Sequence, residues 1–114
     1  MTDYDNSLTV LQIKIGEWQR EAFRDFKPQG QLKKLVKEAH ELDIEFAAKN
    51  YQADEKIRHE AADVAIVLLG FCEKMGFELL TAIREKMEIN KARKWGTVLD
   101  DGTFQHISEK VNPH

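Results

Sequence analysis

The chain has 114 residues, 32% of them charged and 42% hydrophobic, with a net charge of −3. That balance suits one folded domain with a buried core and excludes a disordered segment. Acid in excess of base also argues against a general nucleic-acid or anionic-membrane binder, which carries a basic surplus.

The N-terminal stretch MTDYDNSLTV has neither the basic nor the apolar segment of a secretion signal. No apolar run approaches the ~20 residues of a membrane span, so a cytoplasmic protein is expected. Cys72 is the single cysteine. It can form no internal disulfide and no thiolate metal cluster, and its apolar surroundings predict a buried, inert thiol.

Apolar residues recur at helical spacing nearly throughout. A first helix, capped by Ser7 or Thr9, runs to about Phe26, with Leu11, Ile15, Trp18 and Ala22 on one face. KPQG (27–30) reads as a connection. A second helix spans about Gln31 to Lys49, turning Leu32, Leu35, Val36, Ala39 and Phe46 inward. After NYQAD (50–54), Asp54 is the expected N-cap of a third helix that runs from about Glu55 to Lys74. Gly76 is its left-handed C-terminal cap. A fourth helix covers about Glu78 to Lys94. In GTVLDDGTFQHI, alternation on either side of Asp101-Gly102 predicts a short hairpin or an extended arm. The fold class is all-α: a four-helix bundle with a C-terminal appendage.

Two acid pairs stand out, each spaced i, i+3: Glu38/Glu41 in KEAHEL and Glu60/Asp63 in EAADVAIVLLGFC. At about 100° per residue, Glu60 falls within the apolar arc of helix 3 set by Ile57, Ala61, Val64, Leu68, Phe71 and Met75, and Asp63 falls beside it. Glu38 flanks the stripe of helix 2, and Glu41 lies one step further round. Ile66 and Leu69 on the opposite side make the second half of helix 3 apolar nearly all round, which predicts an oligomer interface as well as a core. Carboxylates gathered at a helix seam must be paired or must hold a cation. Lys34, Lys37 and Arg58 are available partners for a structural role. The alternative is an all-oxygen site, which suits Mg²⁺, Mn²⁺ or Ca²⁺.

On helix 4, the inward stripe begun by Leu79 and Ile83 continues as Lys86, Asn90, Arg93 and Lys94. A basic last turn complementing the helix dipole accounts for Arg93 and Lys94. It does not account for Lys86 and Asn90, which suit phosphate oxygens.

These residues together resemble the MazG-like group of all-α nucleoside triphosphate pyrophosphohydrolases, whose pattern is E-x-x-E, then E-x-x-D, then a helix with K-x-x-x-N-x-x-R. Here EAHE, EAAD and KMEINKAR stand in that order, and the likeness covers about residues 8–95. The resemblance implies one domain over 1–114, with a helical core at about 8–95 and a tail at 96–114. It implies Mg²⁺-dependent hydrolysis of a (deoxy)nucleoside triphosphate to the monophosphate and pyrophosphate, with Mn²⁺ as a substitute, by a homodimer or homotetramer. Carried over, Glu38, Glu41, Glu60 and Asp63 are metal ligands; metal-ion catalysis also needs a carboxylate not fully engaged with metal to take the proton of the attacking water, and Glu41 is the choice here. Lys86, Asn90 and Arg93 match the family's phosphate contacts, and Lys94, next on the same stripe, is expected to join them. Helix 1 receives the base, with Trp18 able to stack on it and Gln19 able to read its edge, although a core Trp and an exposed Gln are the plainer readings. His40 and His59 are expected at the surface.

Phosphoribosyl-ATP pyrophosphohydrolases share this acid arrangement and form the alternative enzyme class. The non-catalytic alternative is a helical dimerisation or adaptor module. A di-iron carboxylate bundle is excluded, because no histidine stands three residues after a glutamate.

Overall fold

Pro28 and Gly76 mark two of the helix boundaries. In the computed structural model, which describes residues 7–107, the helices are α1 (Ser7–Ala22), α2 (Pro28–Ala48), α3 (Glu55–Met75) and α4 (Leu79–Ala92). They are followed by strands β1 (Lys94–Trp95) and β2 (His106–Ile107). None of the described helices is long and apolar enough to cross a membrane.

Pro28 opens α2 instead of belonging to a connection. Its fixed φ suits the first helical turn, where a missing N–H costs nothing. Lys27 before it is held extended, at φ −122° and ψ 152°, as the clash with a following proline ring requires. Helix α1 ends at Ala22, short of the expected Phe26. Asp54 caps α3 as anticipated, its Oδ1 accepting from the Ile57 N–H at 2.9 Å. Gly76 ends α3 at φ 82° with its N–H on the carbonyls of Cys72 and Glu73.

The chain divides into two compact units, one up to Leu80 and one from Thr81 onward. In the first, α3 packs on both α1 and α2, and Ile15, Ile57, Leu69 and Cys72 are its buried apolar residues. Every residue of α3 from Ile66 to Glu73 is buried or half-buried, as its all-round apolar character predicted. Ala61 and Met75, expected inside, are exposed.

The inward faces of α1 and α2 differ from the apolar stripes read in the sequence. Helix α1 buries Gln12, Ile15, Gly16 and Gln19, while Leu11 and Trp18 are about half exposed and Ala22 is exposed. Close approach is the reason. A Cβ at Gly16 would stand 2.3 Å from Glu73 Cγ, and one at Gly70 would stand 2.0 Å from Gln19 Oε1. The two glycines draw α1 and α3 together, and the amides beside them fill the seam. Gln12 joins it to the α3–α4 turn: Nε2 donates to the Phe77 carbonyl (2.8 Å) and to Glu73 Oε1 (3.1 Å), and Oε1 accepts from the Leu79 N–H (3.0 Å). Helix α2 buries Gln31 and Glu38, with Leu35, Leu42 and Phe46 half-buried on the same side. Leu32, Val36 and Ala39 face outward.

In the second unit, β1 and β2 pair antiparallel with Lys94 opposite Ile107 and Trp95 opposite His106, so the tail is a hairpin. Its turn closes through Leu99 N–H to Thr103 O (2.7 Å) and Gly102 N–H to Leu99 O (2.8 Å). Gly102 sits at φ 85°, and Asp101 Oδ1 accepts from the Thr103 N–H at 2.9 Å. Entry into β1 ends α4 at Ala92, before the expected Lys94. No residue of α4 is buried, and Ile83, read as inward, is 42% exposed.

Candidate functional site

Helices α2 and α3 bring three of the four singled-out acids together. Carboxylate oxygens of Glu38, Glu60 and Asp63 lie within 4.8 Å of one another. Glu38 is buried, Glu60 half-buried and Asp63 exposed, so the group runs from the seam out to solvent. The i, i+3 spacing puts Glu60 and Asp63 on one side of α3, and the side-by-side packing of α2 delivers Glu38 to them. Glu41, one turn further along α2, is exposed and lies outside this group of three.

Among the described residues, the ion pair of this group is Lys34 with Glu38, at 2.9 Å one turn apart on α2. The hydrogen bond from Lys34 holds the Glu38 carboxyl below its ordinary value, against the desolvation that burial imposes. In return, Glu38 raises the Lys34 ammonium above its usual value, and the fields of Glu41 and Asp63 add to this. One ammonium shared by these acids leaves the cluster net negative. Hard oxygen donors with excess negative charge are the environment of a hard divalent cation. Lys37 forms none of the ion pairs seen here, and Arg58 pairs instead with Glu55 at the exposed start of α3.

Glu38 and Asp63 also line a cavity of about 550 Å³ among α1, α2 and α3. Trp18, Phe23 and Phe26 give it aromatic walls, and Ile66 and Val67 an aliphatic one. Trp18 meets Phe23 edge to face at 5.4 Å, and its 53% exposure leaves ring surface free for a planar ligand. Trp18 is therefore a cavity wall and not a core residue. Gln19, taken by default as exposed, is 7% exposed and lines the same cavity. Its partner Gln31, unremarked in the sequence, is equally buried and donates Nε2 to Gln19 Oε1 at 3.3 Å. The sequence carries one signal for Gln31: seven residues before Glu38, it falls on the same helical face.

The second unit holds the candidate phosphate residues. Lys86 and Lys94 are exposed, and Asn90 and Arg93 are half-buried. Trp95 Nε1 donates to the Asn90 carbonyl at 2.8 Å, while Asn90 Oδ1 is buried with no partner among the described residues. His40 and His59 are at the surface, as expected.

Comparisons with known proteins point to one family. The sequence profile of the dATP/dGTP pyrophosphohydrolase family matches residues 11–113. A dATP/dGTP diphosphohydrolase of Cyanophage S-2L is 33% identical over 107 residues, 94% of each protein. A second dATP/dGTP diphosphohydrolase, of Salmonella phage PMBT28, is 38% identical over 101 residues; these are 89% of this chain and 32% of that longer protein. Among solved structures, the Cyanophage S-2L MazG-like pyrophosphohydrolase, bound to dGDP and three catalytic Mn²⁺ ions per active site, matches with a TM-score of 0.70 and 33% identity. The match covers 89% of this chain and 97% of that one. Four helices in the same fold, a carboxylate group suited to a divalent metal and a match along nearly the whole length lead to one conclusion: this chain belongs to the dATP/dGTP pyrophosphohydrolase family, enzymes of the all-α MazG-like type.

Proposed function

We propose that this enzyme hydrolyses dATP and dGTP to the deoxynucleoside monophosphate and pyrophosphate with Mg²⁺, for which Mn²⁺ can substitute. The observation that carries the reading is the convergence of Glu38, Glu60 and Asp63, two of which line a cavity with aromatic walls. The donor set fits the metal: all ligands are carboxylate oxygens, and the buried Glu38 is kept ionised by Lys34. Glu38, Glu60 and Asp63 would hold the ions, with Glu41 completing the set from the next turn of α2. Bound divalent ions supply neutralisation of the triphosphate and acidification of water.

The chain's own residues do the rest. Glu41, outside the tight group and open to solvent, takes the proton of the attacking water. Lys86, Asn90, Arg93 and Lys94 contact the phosphates. Trp18 stacks on the base and Gln19 reads its edge. Positioning and charge neutralisation provide most of the acceleration in phosphoryl chemistry.

The same reading takes residues 1–114 as one domain acting in the cytoplasm as a homodimer or homotetramer. Supporting the assembly, Leu11, Leu32, Val36 and Ile44 leave 44–70% of their surface exposed on α1 and α2, where a second copy could cover them.

The test is pyrophosphate release from each ribo- and deoxyribonucleoside triphosphate, with Mg²⁺, Mn²⁺ or EDTA. Release from dATP and dGTP that EDTA abolishes is expected. Release that survives EDTA would overturn the metal assignment, and silence across the panel with folded protein would overturn the reading as a whole. Sedimentation as a monomer at micromolar concentration would remove the assembly.

A further inference from the structure

Gln19 and Gln31 come from different helices, are 7% exposed each, line the cavity together, and meet through a single hydrogen bond. That bond uses Gln31 Nε2. Gln31 Oε1 is buried with no partner among the described residues. Buried carbonyl oxygens are rarely left without a donor, so an unpaired acceptor on a residue that lines a cavity suits a ligand that brings one.

A carboxamide holds an acceptor and a donor on its two arms, and a half-turn of its terminal torsion exchanges them. If Gln31 turns, its Oε1 faces Gln19. Gln19 keeps the bond by turning as well and donating its own Nε2. Both arrangements preserve the contact between the helices. They differ in what Gln31 leaves free: Oε1 in one and Nε2 in the other.

Adenine and guanine differ in the same sense at position 6 of the ring, where adenine carries an amino donor and guanine a carbonyl acceptor. We propose that the Gln19–Gln31 pair reads purine position 6 by this concerted exchange. Gln31 Oε1 accepts from the adenine amino group, and Gln31 Nε2 donates to the guanine carbonyl. One site then takes both purines without leaving either arm unpaired. The inference rests on the preceding reading of the cavity as the base pocket.

Placement along α2 agrees with it. Gln31 and Glu38 lie on one face, seven residues and a rise of about 10.5 Å apart. The residue assigned to the base edge and the carboxylate group are thus set apart along one face of the same helix. Trp18, Phe23 and Phe26 give the same cavity its aromatic wall.

The experiment measures kcat/KM for dATP and dGTP in the wild type and in Gln31→Glu, Gln19→Glu and Gln31→Met. A carboxylate at 31 can only accept, so the dATP:dGTP ratio should rise about tenfold or more, as mispairing a buried polar group demands. Gln19→Glu tests the exchange itself. A carboxylate at 19 pins Gln31 with Nε2 turned toward it and Oε1 free, so the ratio should rise although residue 31 is unchanged. Gln31→Met removes both arms, so KM should rise for both purines with their ratio nearly unchanged. Binding of dAMP and dGMP by calorimetry should follow the same pattern without turnover.

An unchanged ratio in folded Gln19→Glu overturns the exchange, as does an unchanged ratio in folded Gln31→Glu. Either variant alone decides the matter if the other fails to fold. Wild-type protein inactive on both purine nucleotides would instead sink the functional reading beneath it, and the two failures are thus distinct.

Discussion

Gln12 gives the sharpest stability prediction. Its side chain is 3% exposed and makes three hydrogen bonds that tie α1 to the turn between α3 and α4. Replacing it by Leu keeps the volume and removes all three. Glu73 is half-buried and can turn to water. The Phe77 carbonyl and the Leu79 N–H cannot move so freely, and the latter is one of the donors that the first turn of α4 leaves without an intrahelical partner. Each group stranded in this way costs about 1–3 kcal/mol. Phe77 is 43% exposed and Leu79 half-buried, so water recovers part of the loss, and about 2–3 kcal/mol is expected for Gln12→Leu. With a urea slope of about 1–3 kcal/mol/M for a chain of this size, the midpoint followed by circular dichroism should fall by about 1–2 M. An unchanged midpoint at an unchanged slope would refute the reasoning, because it would mean the three bonds contribute nothing net. Gln12→Glu keeps the acceptor for Leu79 but sets a carboxylate against Glu73, and at neutral pH it should do at least as much damage.

Three further outcomes are expected. The Ile57 N–H holds the Asp54 carboxyl below its ordinary value. Its ionised form therefore stabilises the fold above the unfolded value of about 3.9, and that contribution is lost as pH falls through the folded value. The melting-temperature advantage of wild type over Asp54→Asn should accordingly be largest near neutrality and shrink in acid, and a difference flat with pH would contradict the cap. Gly76→Ala meets no atom within 4 Å but must keep φ 82°, so calorimetry should show a loss of about 1 kcal/mol and not a fold-breaking one. Glu38→Ala and Asp63→Ala should each abolish turnover while helicity persists, and an unaffected rate in either would remove that residue from the site.

The legible part of this protein was what helical periodicity encodes directly. The Glu60/Asp63 pair, the Asp54 and Gly76 caps and the Asp101-Gly102 turn all depend on local spacing or on a backbone preference, and a single strand of sequence contains both. The inward faces of α1 and α2 were not legible in this way. Hydrophobic spacing assigns Gln12, Gln19 and Gln31 to solvent, because it has no means of seeing the partner that satisfies a buried amide. Their partners are 12 to 67 residues away. The glycines hinted at the outcome. Gly16 stands between Gln12 and Gln19 on one face, and Gly70 interrupts the most apolar run of the chain, both marks of a close helix crossing. Glu38 read as a residue flanking its stripe, and its burial follows from tertiary packing, with Lys34 supplying the compensation that packing requires. Pro28 illustrates a different ambiguity, since the same residue can end one segment or begin the next.

The seven-residue interval between Gln31 and Glu38 has a mechanical meaning. Over so short a length an α-helix is stiff, and its rise is fixed by backbone hydrogen bonds and not by side-chain packing. Tilting or sliding α2 changes how far Glu38 stands from Glu60 and Asp63, yet leaves its separation from Gln31 as it was. The helix acts as a gauge block between two residues of the cavity wall. Substitutions that alter the chemistry at either end need not disturb the length that a bound molecule must span, so this dimension is the one that drift in the rest of the core leaves most nearly constant.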